Sequence, residues 1–96
     1  PPYIDEKDPH LAQGDVRFAP KSALVADEGG LADIRHISDA ARQYLEEGGW
    51  LVFEHGYDQG QAVRDIMCSF GYQHVVTEQD YAGNDRVTLG CFAAEQ

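Results

Sequence analysis

The sequence is poor in positive charge, with 7 Lys and Arg residues against 17 Asp and Glu residues and a net charge of −10 at pH 7. A protein that binds nucleic acid neutralises phosphates with clustered Lys and Arg side chains, so this composition argues against such a surface on this chain. No apolar run is long enough to cross a bilayer, and no signal-peptide pattern opens the sequence. The sequence therefore predicts neither a membrane segment nor direct binding of nucleic acid.

Cysteine is also scarce, since Cys68 and Cys91 are the only two. No Cys-x-x-Cys or His-x-x-x-His spacing occurs, so no metal site is predicted. Both cysteines lie within apolar patterns, which favours buried, reduced thiols over a disulfide. Reduced thiols in turn favour a cytoplasmic location.

Apolar residues are plentiful enough for a folded domain, at 43% of the 96 residues. A chain of this length forms at most one small domain. Residues 4–30 show no sustained period and are predicted to form a long loop, with apolar islands at residues 16–20 and 23–26. The acidic residues of this loop are expected to be solvated surface charges, and this role is favoured over binding of a basic partner. They are Asp5, Glu6, Asp8 and Asp15.

Residues 31–96 are predicted to fold as helix, strand, helix, strand, strand. The first helix covers residues 31–47 and ends at Gly48 and Gly49. The second covers residues 58–70, with Asp58 as N-cap and Gln61 completing a capping box. The apolar stripes of the two helices are Leu31, Ile34, Ile37, Ala41, Tyr44 and Leu45, and Ala62, Val63, Ile66, Met67 and Phe70.

Three apolar or alternating runs predict strands. Residues 50–53 form a continuous apolar run, typical of a strand buried on both faces. Residues 74–77 and 86–92 are joined by a short turn and are expected to pair as an antiparallel hairpin. This order predicts an α/β fold, namely the C-terminal half of a doubly wound, Rossmann-like sheet that ends in an antiparallel hairpin.

Two ionisable residues follow the first of these strands, Glu54 and His55. Ligands of open α/β sheets bind beyond the carboxyl ends of strands, so both are site candidates. Neighbouring side chains on a strand point to opposite faces, which argues against a Glu-His dyad and favours a structural role for His55.

The first three residues carry the most chemical information. Preceded by Asn, Pro1-Pro2-Tyr3 would read Asn-Pro-Pro-Tyr, the site at which some methyltransferases hold planar amino groups. The chain is therefore expected to be the C-terminal part of a larger enzyme. A rigid turn or a Pro-rich ligand of a small recognition domain is the alternative for these three residues alone.

Three longer stretches carry a resemblance to a known family: PPYIDEKDPHLAQGDVRFAPKSALVADEGGLADI, GGWLVFEHGYDQGQAVRDIM and DYAGNDRVTLG. Together they resemble the protein-(glutamine-N5) methyltransferases that modify peptide chain release factors, a family also called HemK or PrmC. Pro-Pro-Tyr is shared with methyltransferases of adenine N6 in DNA and guanine N2 in RNA. The segments Asp-Pro-His-Leu and Gly-Asp-Val-Arg-Phe point to the release-factor enzymes.

The resemblance implies an S-adenosylmethionine-dependent enzyme that methylates the glutamine of the Gly-Gly-Gln motif of release factors. It implies that Pro1 offers its carbonyl to the target amide, that Pro2 stiffens the turn, and that Tyr3 packs near the transferred methyl group. It also implies that residues 1–30 form a substrate-side loop and that residues 5–18 touch the release factor. The family often has Glu where this chain has Ala19.

Several family elements do not occur in this chain: the Asn, the Gly-rich turn after the first strand, and the acidic residue after the second. The chain alone is therefore expected neither to bind S-adenosylmethionine measurably nor to catalyse methyl transfer. It is also expected to expose a sheet edge where the fourth strand would pair, and to self-associate there. Two other functions stay open: part of a nucleic-acid amine methyltransferase, and a non-enzymatic α/β binding module.

Overall fold

The computed structural model describes residues 3–4, as backbone only, and residues 15–19 and 30–94. The elements are β1 (Tyr3–Ile4), β2 (Val16–Ala19), α1 (Leu31–Ala40), a 3-10 turn (Ala41–Gln43), β3 (Trp50–Glu54), α2 (Gly60–Ser69), β4 (Gln73–Gln79) and β5 (Asp85–Cys91). The strands among them form one mixed sheet in the spatial order β1-β2-β3-β5-β4.

The last strand, β5, lies between β3 and β4 and is antiparallel to both. The α/β class, and the closing antiparallel hairpin of a Rossmann-like C-terminal half, are therefore confirmed. β3 is buried along its centre, as the continuous apolar run predicts. No helix in the described ranges is long and apolar enough to cross a membrane.

The prediction of a loop throughout residues 4–30 is wrong for β2. This strand runs parallel to β3, with Val16 opposite Leu51 and Phe18 opposite Phe53. Four residues are too short a run to distinguish a strand from an isolated apolar patch, although Val16 and Phe18 do show the strand period. Because β2 pairs with β3, the expectation of an unpaired edge beside β3 is also wrong.

The side chain of Asp15 shows why β2 aligns with β3. Its Oδ1 accepts a hydrogen bond of 2.8 Å from the backbone N–H of Trp50, which joins the starts of the two strands. Asp15 is therefore structural and not a merely solvated charge. The expectations for Asp5, Glu6 and Asp8 lie outside the described residues.

The first helix is shorter than predicted. The chain tightens into a 3-10 turn at Ala41–Gln43, which has three residues per turn and so rotates the following side chain off the apolar stripe. Tyr44 is consequently 79% exposed, while Leu45 is buried. The predicted burial of Tyr44 is wrong for this reason.

The core lies between the helices and one face of the sheet. The rings of Phe18 and Phe53 meet edge to face with centroids 5.6 Å apart. Helix α2 covers β4 and β5 and also contacts α1. The buried apolar cluster consists of Phe18, Ile34, Ala41, Leu45, Leu51, Phe53, Val63, Ile66, Met67 and Tyr72.

Strand β5 alternates as predicted, but its less apolar face is the more deeply buried one. Thr88 and Gly90 are buried against α2, whereas Val87, Leu89 and Cys91 are only partly buried. Gly90 allows this approach, since a Cβ there would lie 2.9 Å from the terminal methyl of Met67.

The two cysteines are unbonded, as expected, but only Cys91 is partly buried. Cys68 is exposed, so its predicted burial is wrong: it lies on the solvent side of α2, beside the buried Met67. The described residues contain no cluster of three or more potential metal ligands.

Candidate functional site

The carboxyl ends of β2 and β3 meet at one edge of the sheet. Phe18 lies opposite Phe53, so Ala19 and Glu54 both lie at this end. The backbone of Tyr3 pairs with Ala19 in the antiparallel β1–β2 ladder. We call this side of the sheet the carboxyl edge, and it is where open α/β sheets bind their ligands.

The structure thus brings the third residue of Pro1-Pro2-Tyr3 to the carboxyl edge. Pro1 and Pro2 lie outside the described residues, as does the side chain of Tyr3. Their roles in substrate binding stay predictions. Of these three residues, the structure describes only the backbone position of Tyr3.

An ion pair joins the two parallel strands at this edge. Arg17 on β2 directs its Nε and Nη2 atoms to Oε2 of Glu54, at 2.8 and 2.7 Å. The two side chains are 29% and 39% exposed, so the pair contributes at most about 1 kcal/mol to stability. It nevertheless fixes the direction of the Glu54 carboxylate towards β2.

His55 points elsewhere and is 6% exposed. Its Nδ1 lies 2.9 Å from the carbonyl oxygen of Gly56, and its Nε2 lies 2.7 Å from Oγ1 of Thr88. A carbonyl oxygen can only accept, so Nδ1 carries the ring hydrogen. In the neutral ring Nε2 then accepts a hydrogen bond from the Thr88 hydroxyl.

The hydrogen bonds continue beyond Thr88. Oγ1 of Thr88 lies 2.7 Å from Oγ1 of Thr77, and Nη1 of Arg64 donates to Oγ1 of Thr77 over 2.6 Å. Each hydroxyl therefore accepts from one neighbour and donates to the next. We call this series the polar chain: Arg64, Thr77, Thr88, His55 and the Gly56 carbonyl.

The polar chain joins α2, both strands of the hairpin and the turn after β3. His55 is accordingly a buried structural residue, and Glu54 and His55 bond to different partners and form no dyad. The sequence does not reveal this network, because it depends on the register that places Thr77 opposite Thr88. The only feature of the sequence that could have indicated the polar chain is the presence of a threonine on each of two neighbouring predicted strands.

The turn between β3 and α2 is held by Gln59. Its Oε1 accepts the backbone N–H of Gly56 over 2.8 Å, and its own N–H donates to the Gly56 carbonyl over 3.1 Å. Helix α2 begins at Gly60 without a side-chain cap. The predicted N-cap at Asp58 is wrong, and the Gln61 side chain bonds to Asp65 instead of closing a capping box.

The turn between β4 and β5 also lies at the carboxyl edge, since Val87 near the start of β5 pairs with Glu54. Asp80 organises this turn: its Oδ1 accepts the N–H groups of Ala82 and Asn84 at 2.9 and 3.0 Å. Its Oδ2 accepts from Arg86 over 3.2 Å. The Asn84 N–H, with smaller help from Arg86 and Ala82, lowers the pKa of Asp80 below its ordinary value against a weaker opposing effect of desolvation.

Among the described residues, the turn between β3 and α2 is the one strand-to-helix turn that contains two glycines, Gly56 and Gly60. A methyl donor such as S-adenosylmethionine does not fit there. The Gly56 N–H is already bonded to Gln59. A Cβ at Gly60 would lie 2.7 Å from Oδ2 of Asp85, so side chains of this chain already fill the space beside it. No step of a reaction is therefore assigned to a donor held in that turn.

The chain is similar over its whole length to curated bacterial proteins. It is 69% identical over 96 residues to a release factor glutamine methyltransferase of Vibrio cholerae, covering 100% of this chain and 34% of that protein. The chain therefore resembles about one third of a release factor glutamine methyltransferase. Proteins of the same name in Salmonella typhimurium and Escherichia coli are 61% and 58% identical over 92 and 90 residues.

These two relatives are matched over 96% and 94% of this chain and over 33% and 32% of their own lengths. The chain thus spans about a third of the length of the release factor glutamine methyltransferases that it matches. No protein-family model matches it.

Proposed function

We propose that the protein containing this chain methylates the side-chain amide of the glutamine in the Gly-Gly-Gln motif of peptide chain release factors. The observation that carries the proposal is the 69% identity, over all 96 residues, to a protein named for that reaction. S-adenosylmethionine is the proposed methyl donor. Such an enzyme would work in the cytoplasm, where release factors act.

The chemistry requires that a poor nucleophile be oriented. The lone pair of an amide nitrogen is delocalised into the carbonyl, so acceptors that hold both N–H groups must direct it towards the methyl group. The same acceptors stabilise the positive charge that develops on nitrogen. We propose that the carbonyl of Pro1 is one acceptor, that Pro2 stiffens its loop, and that the ring of Tyr3 is a stacking wall.

The position of β1 supports this assignment. The backbone of Tyr3 pairs with Ala19 at the carboxyl edge, where Glu54 and Arg17 also meet, and this supports a role for the first residues there. The glycine turn at residues 56–60 is filled by side chains of this chain and leaves no room for the donor. We propose that this chain by itself is inactive.

The experiment uses the full-length protein that contains this chain. Radiolabelled S-adenosylmethionine is offered with a release factor, duplex DNA or ribosomal RNA in separate reactions. Label in the release factor, lost when its Gly-Gly-Gln glutamine is changed to Glu, is the expected result. Label in DNA or RNA would replace the substrate and overturn the proposal.

A matched pair of variants tests the role of Tyr3. Tyr3→Phe keeps the ring and should keep the activity, whereas Tyr3→Ala should lower kcat/KM about three- to tenfold, the usual worth of an aromatic contact. Equal activity in both variants would exclude the stacking role of Tyr3.

A further inference from the structure

Two tyrosines at the carboxyl edge are left in solvent. Tyr57, in the turn after β3, is 68% exposed, and Tyr81, in the turn between β4 and β5, is fully exposed. A single exposed aromatic side chain is ordinary on a protein surface. Two of them on adjoining turns, at the edge that carries the proposed site, are a more specific arrangement.

Both turns are fixed from beneath by side chains. Asp80 bonds to Ala82, Asn84 and Arg86 around Tyr81. The turn of Tyr57 is fixed at Gly56. The Gly56 carbonyl accepts a hydrogen bond from the His55 ring, and the Gly56 N–H donates to the side chain of Gln59. Rigid turns lose little conformational entropy on binding, and tyrosine adds large contact area with few rotatable bonds.

The two turns also touch each other. A Cβ at Gly60, at the end of the first turn, would lie 2.7 Å from Oδ2 of Asp85, at the end of the second. The backbone N–H of His55 donates to the carbonyl of Arg86 over 3.0 Å, which joins them a second time. These contacts join the flanks of the two turns, so residues 56–59 and 80–84 lie on adjoining turns, here together called the tyrosine surface.

The charge around the tyrosine surface selects among partners. The segments 54–60 and 78–86 contain five carboxylates, Glu54, Asp58, Glu78, Asp80 and Asp85, and a single basic residue, Arg86. Arg17 pairs with Glu54 and Arg86 pairs with Asp80, so the remaining carboxylates, Asp58, Glu78 and Asp85, give the surface its negative charge. Nucleic acid has the same sign as this surface. The same surface on a second copy has the same sign and would be repelled as well. A basic protein surface is the complementary partner.

We propose that the tyrosine surface docks a basic surface of the substrate protein next to its target glutamine, with Tyr57 and Tyr81 as anchors. This inference rests on the proposed function, since it assumes that the substrate is a protein. It assigns these residues to binding and not to the methyl transfer itself. Truncation of either anchor should therefore weaken the binding of the whole substrate protein and leave the chemistry intact.

The test compares Tyr57→Ala, Tyr81→Ala and Tyr44→Ala in the full-length protein. Tyr44 is the matched control, because it is 79% exposed but precedes β3 at the opposite end of that strand. Steady-state methyl transfer is measured with a release factor and with a short peptide that contains Gly-Gly-Gln. Circular dichroism confirms that each variant is folded.

With the release factor, each of Tyr57→Ala and Tyr81→Ala should raise KM about tenfold without changing kcat, as expected for interface anchors. The peptide, which has no docking surface, should give wild-type kinetics in all three variants. Higher ionic strength should raise the wild-type KM for the release factor only.

Unchanged KM in both anchor variants, or the same change in Tyr44→Ala, would overturn the docking inference. An equal loss with protein and peptide would overturn it too, because it would place the tyrosines in the reaction site. Failure of the proposed function is a separate result: the wild-type protein would then label no release factor at all.

Discussion

Replacing Thr88 by Val tests the polar chain directly. Thr88 is completely buried and is the link between His55 and Thr77. Valine has nearly the same shape, so packing against α2 is preserved and the hydroxyl alone is removed. The buried Nε2 of His55 then has no donor, and the hydroxyl of Thr77 loses its acceptor.

The magnitude follows from the burial of these two groups. An unsatisfied polar group in the interior costs about 1–3 kcal/mol, and His55 is buried. Thr77 is only partly buried, so water can replace its lost partner. We expect Thr88→Val to lower the free energy of unfolding by about 1–3 kcal/mol, or the melting temperature by about 2–4 °C per kcal/mol.

Two control variants distinguish the stability lost with the Thr88 hydroxyl from that lost with its methyl group or with another hydroxyl of the polar chain. Thr88→Ser keeps the hydrogen bond and should cost only about 1 kcal/mol for the lost methyl group. Thr77→Val leaves the bond from Thr88 to His55 in place and should cost less than Thr88→Val. The variants are compared by calorimetry of the full-length protein.

Nitrogen NMR of the His55 ring supplies an independent check. The Gly56 carbonyl requires a hydrogen on Nδ1 and an unprotonated Nε2 in the neutral ring. The opposite tautomer would refute the direction assigned to the polar chain. A Thr88→Val variant as stable as the wild type would show that the chain contributes nothing to the fold.

Three further predictions concern stability. Gly90→Ala should cost about 1–3 kcal/mol by overpacking, because its Cβ would lie 2.9 Å from Met67, and calorimetry should show the loss. Ser38→Ala should leave the melting temperature unchanged or raise it, since the buried Ser38 hydroxyl has no partner among the described residues; a marked loss would reveal one. Asp80 has a lowered pKa in the folded protein, so its stabilisation is present above the unfolded pKa and is lost as the pH falls through the folded pKa. Asp80→Asn should therefore destabilise the hairpin turn at neutral pH, measured by hydrogen exchange of the Asn84 amide, and the difference from wild type should vanish in acid.

The elements with a clear period were predictable from the sequence. The apolar run of β3, the stripe of α2 and the alternation of β5 each have enough residues to reveal their period. Strand β2 has four residues, and its pairing with β3 depends on contacts distant in sequence, including the bond from Asp15 to Trp50. Sequence periodicity contains no information on such contacts.

The candidate site divides in the same way. Glu54 and His55 were predictable as residues beyond a strand end, but their partners Arg17 and Thr88 are set by strand register. The face of β5 that is buried could not be predicted either, because Thr88 is less apolar than Leu89 on the other face. Burial there follows from the position of α2, which only the three-dimensional packing fixes.

The exposure of the two tyrosines at the carboxyl edge, and their position on adjoining turns, could not be predicted from the sequence for the same reason. Tyr44 lies within a helical period and Tyr57 and Tyr81 lie in turns, yet all three are exposed. Only the sheet order places Tyr57 and Tyr81 on adjoining turns, since β5, which follows the turn of Tyr81, pairs with β3, which precedes the turn of Tyr57.

Mass spectrometry of the modified residue tests the central claim most directly. The full-length protein is incubated with S-adenosylmethionine and a release factor, and the peptide that contains Gly-Gly-Gln is sequenced by fragmentation. The proposed function predicts one added methyl group on the side-chain nitrogen of that glutamine. A methyl group on another residue, or an unmodified release factor beside methylated DNA or RNA, would contradict it.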